Sequence, residues 1–116
     1  MKRGEVWAIE VREADDAFGL GVIVQEDAFD ATDTVTICPL ITDAVDAPLI
    51  RLPIEPEALT TLDTPHRLMV DRLTTIRRAQ LRHRIGRLDA ADLTRLNQAM
   101  IVFLGMAVSP KAGRKG

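Results

Sequence analysis

Short runs in which apolar and polar residues alternate fill most of the chain, and this period of two predicts half-buried β-strands. The runs lie between stretches rich in acids, threonine and proline, which predict loops. Pro39 cannot donate a backbone hydrogen bond, so its end of a strand is expected at a sheet edge or a bulge. The predicted strands are Glu5–Val11, Gly19–Gln25, Thr34–Leu40, Pro48–Ile54, Arg67–Val70 with a continuation over Leu73–Ile76 after a kink, and Arg84–Leu88.

One helix is predicted, and it begins after Asp89. Asp89 suits the N-cap and Asp92 the third helical position, where carboxylates meet free N–H groups and the helix dipole. Apolar residues then follow at helical spacing, at Leu93, Leu96, Met100, Phe103 and Ala107. The last turns are apolar all round, which predicts burial on more than one side, against the sheet or a partner subunit. One helical turn is also expected over Arg77–Arg82. The pattern indicates a small, strongly bent antiparallel sheet closed by a C-terminal helix, and excludes a continuous βαβ fold.

The length of 116 residues predicts one domain, over residues 1–108, with a basic disordered tail over 109–116. Its core is modest, so association with a second subunit would add stability. No apolar run reaches 18 residues, so no membrane span is expected. The opening M-K-R-G-E-V-W has no apolar signal-peptide core, so a cytoplasmic location is expected.

Charge divides the chain into two halves. Residues 1–63 carry four cations against fourteen acids, a net charge of −10, whereas residues 64–116 carry eleven against three, a net charge of +8. The segment Arg67–Arg95 alone holds eight of the fifteen cations, all arginine. Arginine suits bidentate contacts to phosphate or carboxylate. Two interpretations stay open: a surface for an anionic partner, or a solvated face that pairs with the acidic half.

Motifs for metal or cofactor chemistry are missing from the sequence. Cys38 is the only cysteine, which excludes an internal disulfide, and its apolar neighbours predict a buried inert thiol. His66 and His83 are 17 positions apart without a carboxylate at ligand spacing, so both are expected at the surface and no metal or cofactor is predicted. No phosphate loop or G-x-S-x-G motif is present.

Four short motifs in order give the chain a family resemblance. They are R-G-E-V-W at Arg3–Trp7, V-T-I-C-P-L-I-T at Val35–Thr42, V-D-R-L-T-T-I at Val70–Ile76, and I-G-R-L-D at Ile85–Asp89 before a helix that ends in Leu104–Gly105. The chain resembles the MazF/PemK family of toxin–antitoxin ribonuclease toxins over residues 3–107.

This resemblance implies a small SH3-like barrel of the CcdB/MazF/PemK type, mainly β with a C-terminal α-helix, that works as a homodimer. It also implies metal-independent cleavage of single-stranded RNA, leaving a cyclic phosphate and a free 5′-hydroxyl. The implied partners are RNA and a cognate antitoxin whose acidic C-terminal segment blocks the same groove. No cofactor is implied.

The sequence departs from the family at two positions. Gly19 stands where the resemblance places the catalytic arginine, and Ile41 where it places the catalytic threonine. Thr42, one residue later, and Arg72 are therefore the candidate catalytic residues. The candidate residues for RNA or antitoxin binding are Arg12, Asp71, Arg72, Thr74, Arg77 and Arg78. The segment from Arg82 to Arg95 is expected to serve the dimer.

Two alternatives to an active ribonuclease stay open. The first is a CcdB-like toxin that inhibits DNA gyrase, although Leu104–Gly105 is followed by eleven residues where that group has a tryptophan–glycine pair before the chain end. The second is a catalytically weakened homologue that binds only antitoxin or RNA.

Overall fold

The fold is described from a computed structural model over residues 2–10, 19–29, 31–42, 51–54 and 66–106. Seven strands and one helix follow one another along these residues. They are β1 (Glu5–Ile9), β2 (Leu20–Ile23), β3 (Thr34–Ile41), β4 (Arg51–Ile54), β5 (His66–Met69), β6 (Thr74–Arg77), β7 (Leu81–Arg87) and α1 (Ala90–Phe103). Short 3₁₀ turns span Asp27–Phe29, Val70–Arg72 and Arg78–Gln80. The predicted fold class, mainly β with a C-terminal helix, is confirmed.

All strand pairs are antiparallel and form one sheet in the order β4-β5-β3-β2-β1-β7. β6 pairs with β3 next to β5, off this path. The 3₁₀ turn Arg78–Gln80 joins β6 to β7, and the Glu10 backbone N–H donates to the carbonyl of Gln80 at 2.8 Å. This connection brings β7, the last strand of the path, back toward β6, so the sheet curls into a small barrel.

β3 is the central strand, since it pairs with β2 on one side and with two successive strands on the other. β6 covers Thr34–Ile37 and β5 covers Leu40–Ile41, so Cys38 and Pro39 have no paired residue on that side. Of the two positions predicted for Pro39, a sheet edge or a bulge, the edge is therefore wrong, and Pro39 lies instead at an interruption in the pairing of β3. A proline is tolerated in this inner strand because it lies where the neighbouring strand changes.

The two faces of the sheet bury separate apolar clusters. The cluster toward α1 contains Val6, Val22, Cys38, Leu40, Leu52, Ile54, Leu68, Val70, Leu88 and Leu96. The cluster inside the curl contains Ile9, Ile23, Val35, Ile37 and Ile76. Gly21 is required in the second cluster, because an added Cβ would lie 2.6 Å from Cδ1 of Ile37 and 2.8 Å from Cδ1 of Ile9.

The helix begins as the sequence predicts. The carboxylate of Asp89 accepts a hydrogen bond from the Asp92 N–H at 2.8 Å, which satisfies a free donor of the first turn. Leu96 is fully buried on the sheet side. Ile101, Val102, Phe103, Leu104 and Met106 are exposed in the single chain, so the second burying surface predicted for this end lies outside the described residues of one subunit.

Two further expectations change. Leu73–Ile76 does not continue β5; the turn Val70–Arg72 redirects the chain, and Thr74–Arg77 forms its own strand on β3. His66 is buried rather than at the surface, because it pairs with Ile54 of β4, whereas His83 is exposed as expected.

Candidate functional site

Thr42 lies immediately after β3, exposed to solvent. The preceding residue, Ile41, is half-buried and pairs with Arg67 of β5. Because successive side chains of a strand point to opposite faces, the hydroxyl of Thr42 does not take the direction of the Ile41 side chain. The threonine is thus exposed at the strand end, whereas Arg67, the cross-strand partner of Ile41, lies on the opposite face from the Thr42 side chain.

Arg72 is placed by the 3₁₀ turn that joins β5 to β6. Val70 in this turn is fully buried and anchors it, whereas Arg72 is exposed. The turn lies level with Cys38 and Pro39 of β3, between the rungs formed by β5 and β6. Thr42 is three residues beyond Pro39, roughly 10 Å along the strand at about 3.3 Å per residue. The backbone of Arg72 is therefore level with the middle of β3, about three residues from Thr42 along the strand.

Asp71, in the same turn, is engaged by Arg51 of β4. The guanidinium donates two hydrogen bonds to the carboxylate, at 2.8 Å from Nε and 3.1 Å from Nη2. The hydrogen bond from Arg51 lowers the pKa of Asp71, against the smaller effect of burial. The carboxylate thus has a partner within the chain, and its contact with RNA or antitoxin stays a prediction.

The other candidate residues lie toward the opposite end of β3. Thr74 is half-buried opposite Ile37, and Arg77 is exposed opposite Thr34. Thr34 and Thr42 are eight residues apart on one strand, roughly 26 Å at about 3.3 Å per residue. Arg77 is therefore far from Thr42 along β3, and Arg72 lies at a level between the two.

Arg78 follows Arg77 and is fixed at its stem, because its Nε donates to the carbonyl of Thr32 at 2.7 Å. A surface groove of about 500 Å³ is lined by Asp33, Arg77, Arg78 and Ala79. Arg12 and the tail 109–116 lie outside the described residues, as do positions 48–50 of the predicted fourth strand and Val11 of the first.

Gly19 and Ile41, the two positions that depart from the family pattern, meet across the sheet. Leu20 pairs with Leu40, and extending this antiparallel register by one residue puts Gly19 opposite Ile41. Arg67 flanks Ile41 from the other side. Arg67 belongs to the basic segment and is not among the predicted site residues. Its place opposite Ile41 follows from the pairing of β3 with β5, which no local pattern encodes.

The R-G-E-V-W segment is structural. Gly4 has a φ of 92°, which favours glycine. Its backbone N–H donates to the carbonyl of Ile23, and its carbonyl accepts from the N–H of Leu88. Glu5 is buried and accepts hydrogen bonds from the backbone of Lys2, from Trp7 Nε1 at 3.0 Å and from Arg84 Nη1 at 3.1 Å. Burial acts to raise the pKa of Glu5, but these hydrogen bonds outweigh it and lower the pKa.

A second groove, of about 540 Å³, runs between α1 and the sheet. Its walls are mainly apolar and include Val24, Leu73, Met100, Ile101 and Leu104, with Arg3 at the rim. Asn97 also lines it, with a buried side-chain oxygen that accepts no hydrogen bond from the part of the chain that the structure describes. The groove adjoins the exposed apolar end of α1, so both belong to one surface.

The thiol of Cys38 is buried and free, as predicted, and burial raises its pKa to about 12. Among the residues that the structure describes, no three His, Cys, Asp or Glu side chains gather in a way that could hold a metal ion. Within the same residues, no helix is long and apolar enough to cross a membrane.

Comparison with known proteins gives one family. A family profile described as a PemK-like, MazF-like toxin of type II toxin–antitoxin systems matches residues 2–104. A protein described as a probable endoribonuclease MazF of Mycolicibacterium smegmatis is 44% identical over 108 residues, covering 92% of this chain and 99% of that protein.

Solved structures share the fold. An endoribonuclease in complex with its cognate antitoxin, from a mycobacterial species, has a TM-score of 0.75 at 20% identity and covers 94% of this chain and 99% of its own. The Mycobacterium tuberculosis toxin MazF-mt6 has a TM-score of 0.76 at 19% identity, with coverages of 90% and 99%.

Proposed function

The chain belongs to the PemK-like, MazF-like family of toxins of type II toxin–antitoxin systems, and from that premise we propose that it is a cytoplasmic endoribonuclease that cleaves single-stranded RNA. The mycobacterial relative that is 44% identical carries the description of an endoribonuclease. The proposed domain spans residues 1–108, and the proposed cleavage proceeds without a metal ion, as the family resemblance implies.

One observation supports the location of the proposed site: Thr42 and Arg72 are both exposed and belong to neighbouring parts of the sheet. Thr42 follows the end of β3, and Arg72 is on the turn that lies about three residues away along that strand. This arrangement offers a hydroxyl and a guanidinium group whose backbone positions are roughly 10 Å apart along the strand. Arginine binds phosphate oxygens in a bidentate way, which a phosphodiester substrate requires.

In the proposed reaction, the 2′-hydroxyl of a ribose attacks the adjacent phosphorus and the bond to the 5′-oxygen of the next nucleotide breaks. The products are a 2′,3′-cyclic phosphate and a 5′-hydroxyl; the attacking hydroxyl loses a proton and the leaving oxygen gains one. Negative charge grows on the phosphate oxygens in the transition state, where Arg72 stabilises it. Thr42 donates a hydrogen bond to the same phosphate and holds it in place.

We assign the homodimer to the exposed apolar end of α1. Five consecutive or near-consecutive apolar side chains there are exposed in one subunit, and the apolar groove beside them continues the surface. Contiguous apolar surface of this kind indicates an interaction site. A second copy of the chain covers it in the proposed assembly.

The proposed inhibitor is a cognate antitoxin with an acidic C-terminal segment. Two observations support it: a structural relative is a complex of an endoribonuclease with its cognate antitoxin, and the second half of this chain has a net charge of +8. An acidic segment that covers Arg72 and Thr42 would compete with RNA for the same cations.

The test is cleavage of a mixed RNA pool by purified variants. Thr42→Val and Arg72→Gln should each lower the rate by tenfold or more, since each removes a contact to the reacting phosphate. Arg95→Gln is the matched control, because Arg95 is an exposed arginine on α1 and should leave the rate unchanged. Full activity in both site variants would overturn the assignment of these residues. Growth arrest with gyrase-trapped DNA breaks and intact RNA would overturn the proposed reaction.

A further inference from the structure

His66 begins β5 at the same end of the sheet at which β3 ends before Thr42. The two strands pair antiparallel, with Ile41 of β3 opposite Arg67 of β5. Extending this register by one residue puts Thr42 opposite His66. Directly opposed residues of an antiparallel pair have their side chains on the same face, with Cβ atoms about 4.5–5.5 Å apart. An imidazole can reach a hydroxyl across a gap of that size.

The burial of neighbouring residues identifies the face that these two side chains share. Leu40 comes two residues before Thr42, and Leu68 comes two residues after His66. Both leucines lie in the buried cluster toward α1. Because strand residues two apart point to the same face, Thr42 and His66 belong to that face as well. Ile54, which pairs with His66 from β4, lies in the same cluster.

The two residues differ in their access to solvent. Thr42 is exposed, whereas His66 is only 8% exposed, between Thr42 and the apolar Ile54. A ring buried in this way does not contact a ribose that lies outside the protein, so His66 acts on a substrate only through the hydroxyl beside it. An imidazole has two ring nitrogens that can serve two partners. The interaction that His66 has elsewhere in the chain therefore does not prevent a contact with Thr42.

The direction of the Thr42 hydroxyl matters for the contact with phosphate. A threonine hydroxyl rotates freely, and it is one donor as well as an acceptor. In the free chain the side chain of Thr42 has no hydrogen bond to another residue that the structure describes. Hydrogen bonds in an active site often tighten only when substrate binds. A ring N–H of His66 that donates to Oγ1 of Thr42 would direct the hydroxyl hydrogen away from the ring and toward a phosphate.

We propose that His66 is a positioning residue for Thr42. In the RNA complex a ring N–H of His66 donates to Oγ1 of Thr42, and the hydroxyl of Thr42 donates to the reacting phosphate. The proposal rests on the proposed function, in which Thr42 contacts that phosphate. A donor that is already oriented stabilises the charge that grows on the phosphate without a cost of reorganisation. His66 neither gains nor loses a proton in this role.

The first test is a double-mutant cycle on the single-turnover rate of RNA cleavage. His66→Leu should lower the rate by about fivefold or more, because the hydroxyl of Thr42 is no longer oriented. In the Thr42→Val background, His66→Leu should change the rate by less than about twofold, since the hydroxyl that it positions is already absent. Losses that multiply would show that His66 acts through the fold and not through Thr42, and would overturn the proposal.

Rescue and control variants separate hydrogen bonding from packing. His66→Asn and His66→Gln place an amide N–H near the positions of the two ring nitrogens, so one of them should keep the rate within about threefold of wild type. His83→Leu changes the exposed histidine of β7 and should leave the rate unchanged. A loss in both amide variants, or in His83→Leu, as large as that in His66→Leu would contradict the donor role.

The second test reports the contact itself and does not require cleavage. Proton–nitrogen correlation spectra of the histidine rings are recorded for the full chain bound to a 2′-O-methyl oligoribonucleotide, which lacks the attacking hydroxyl. The signal of one His66 ring nitrogen should shift in Thr42→Val, and the signals of His83 should not. Identical His66 signals in the two complexes would overturn the proposal. Failure of the proposed function would be recognised separately, as unmodified RNA that stays intact while the His66 signal still depends on Thr42.

Discussion

Arg51 and Asp71 join β4 to the turn Val70–Arg72 through a two-pronged ion pair. Nε and Nη2 of Arg51 lie 2.8 and 3.1 Å from the two carboxylate oxygens, and the side chains are only 13% and 22% exposed. Planar pairing of this kind fixes orientation as well as distance. Since Arg72 is the next residue, the pair also fixes the backbone from which that candidate catalytic side chain extends.

Asp71→Asn should therefore lower the stability of the fold. The substitution removes the negative charge that pairs with Arg51 in a partly buried place, for which we expect a loss of about 2 kcal/mol in the free energy of unfolding. The measurement is urea denaturation at pH 7. Arg95→Gln is the control; it removes an ion pair with Asp92 and a hydrogen bond to the Pro53 carbonyl, both at the surface, and should cost about 1 kcal/mol or less. Equal midpoints for Asp71→Asn and wild type would contradict the role of the pair.

Acid should destabilise the protein through Asp71 and Glu5. Both have a pKa lowered in the fold, from ordinary values of 3.8 and 4.5. A lowered pKa means that the contribution to stability is present above the ordinary value and is lost as the pH falls through the lowered one. Denaturation curves from pH 7 to pH 3 should show stability dropping below about pH 4.5. The difference in the free energy of unfolding between wild type and Asp71→Asn should become smaller over the acid part of this range. A difference that grows toward acid would contradict the lowered pKa of Asp71.

Gly21→Ala should overpack the cluster inside the curled sheet. The added methyl group meets Cδ1 of Ile37 and of Ile9, both buried, so we expect a loss of about 1–3 kcal/mol. Ile37→Val removes one of the two opposing carbons. In a double-mutant cycle measured by urea denaturation, the two changes together should cost less than the sum of the single ones. If the two losses in the free energy of unfolding simply add, the strain caused by Gly21→Ala does not come from its contact with Ile37.

How far the sequence predicts this fold depends on whether the signal is local. The Asp89 cap and the alternation of β3 are local, and both were predicted. The burial of His66 depends on its pairing with β4. The place of Pro39 within the sheet depends on the change of neighbouring strand from β6 to β5. Such pairings join residues that are far apart in the chain, so no short pattern contains them.

The same distinction between local signals and long-range strand pairing applies to the candidate site. The basic segment is visible in the sequence, because arginine density is a local property. The different distances of Arg72 and Arg77 from Thr42 are not visible in the sequence, since they arise from the turn between β5 and β6. Arg67 likewise acquires its place opposite Ile41 only through the pairing of β3 with β5.

Association should depend on the exposed end of α1. Phe103 and Leu104 are 43% and 54% exposed in one subunit. The double variant Phe103→Asp/Leu104→Asp places two charges on this surface, which disfavours its burial against a second copy. Light scattering coupled to size-exclusion chromatography should give a dimer mass for wild type and a monomer mass for the variant. Thr94→Asp, on an exposed position of the same helix, is the control and should remain a dimer. A dimer mass for the double variant would place the interface elsewhere.

The chemistry of the RNA ends tests the central claim most directly. Wild-type protein is incubated with a mixed RNA pool in EDTA, and the ends of every fragment are mapped. The account predicts fragments with a 2′,3′-cyclic phosphate at one end and a 5′-hydroxyl at the other, at levels reduced tenfold or more by Arg72→Gln. RNA that stays intact at high protein concentration, or fragments that carry 5′-phosphates, would contradict it.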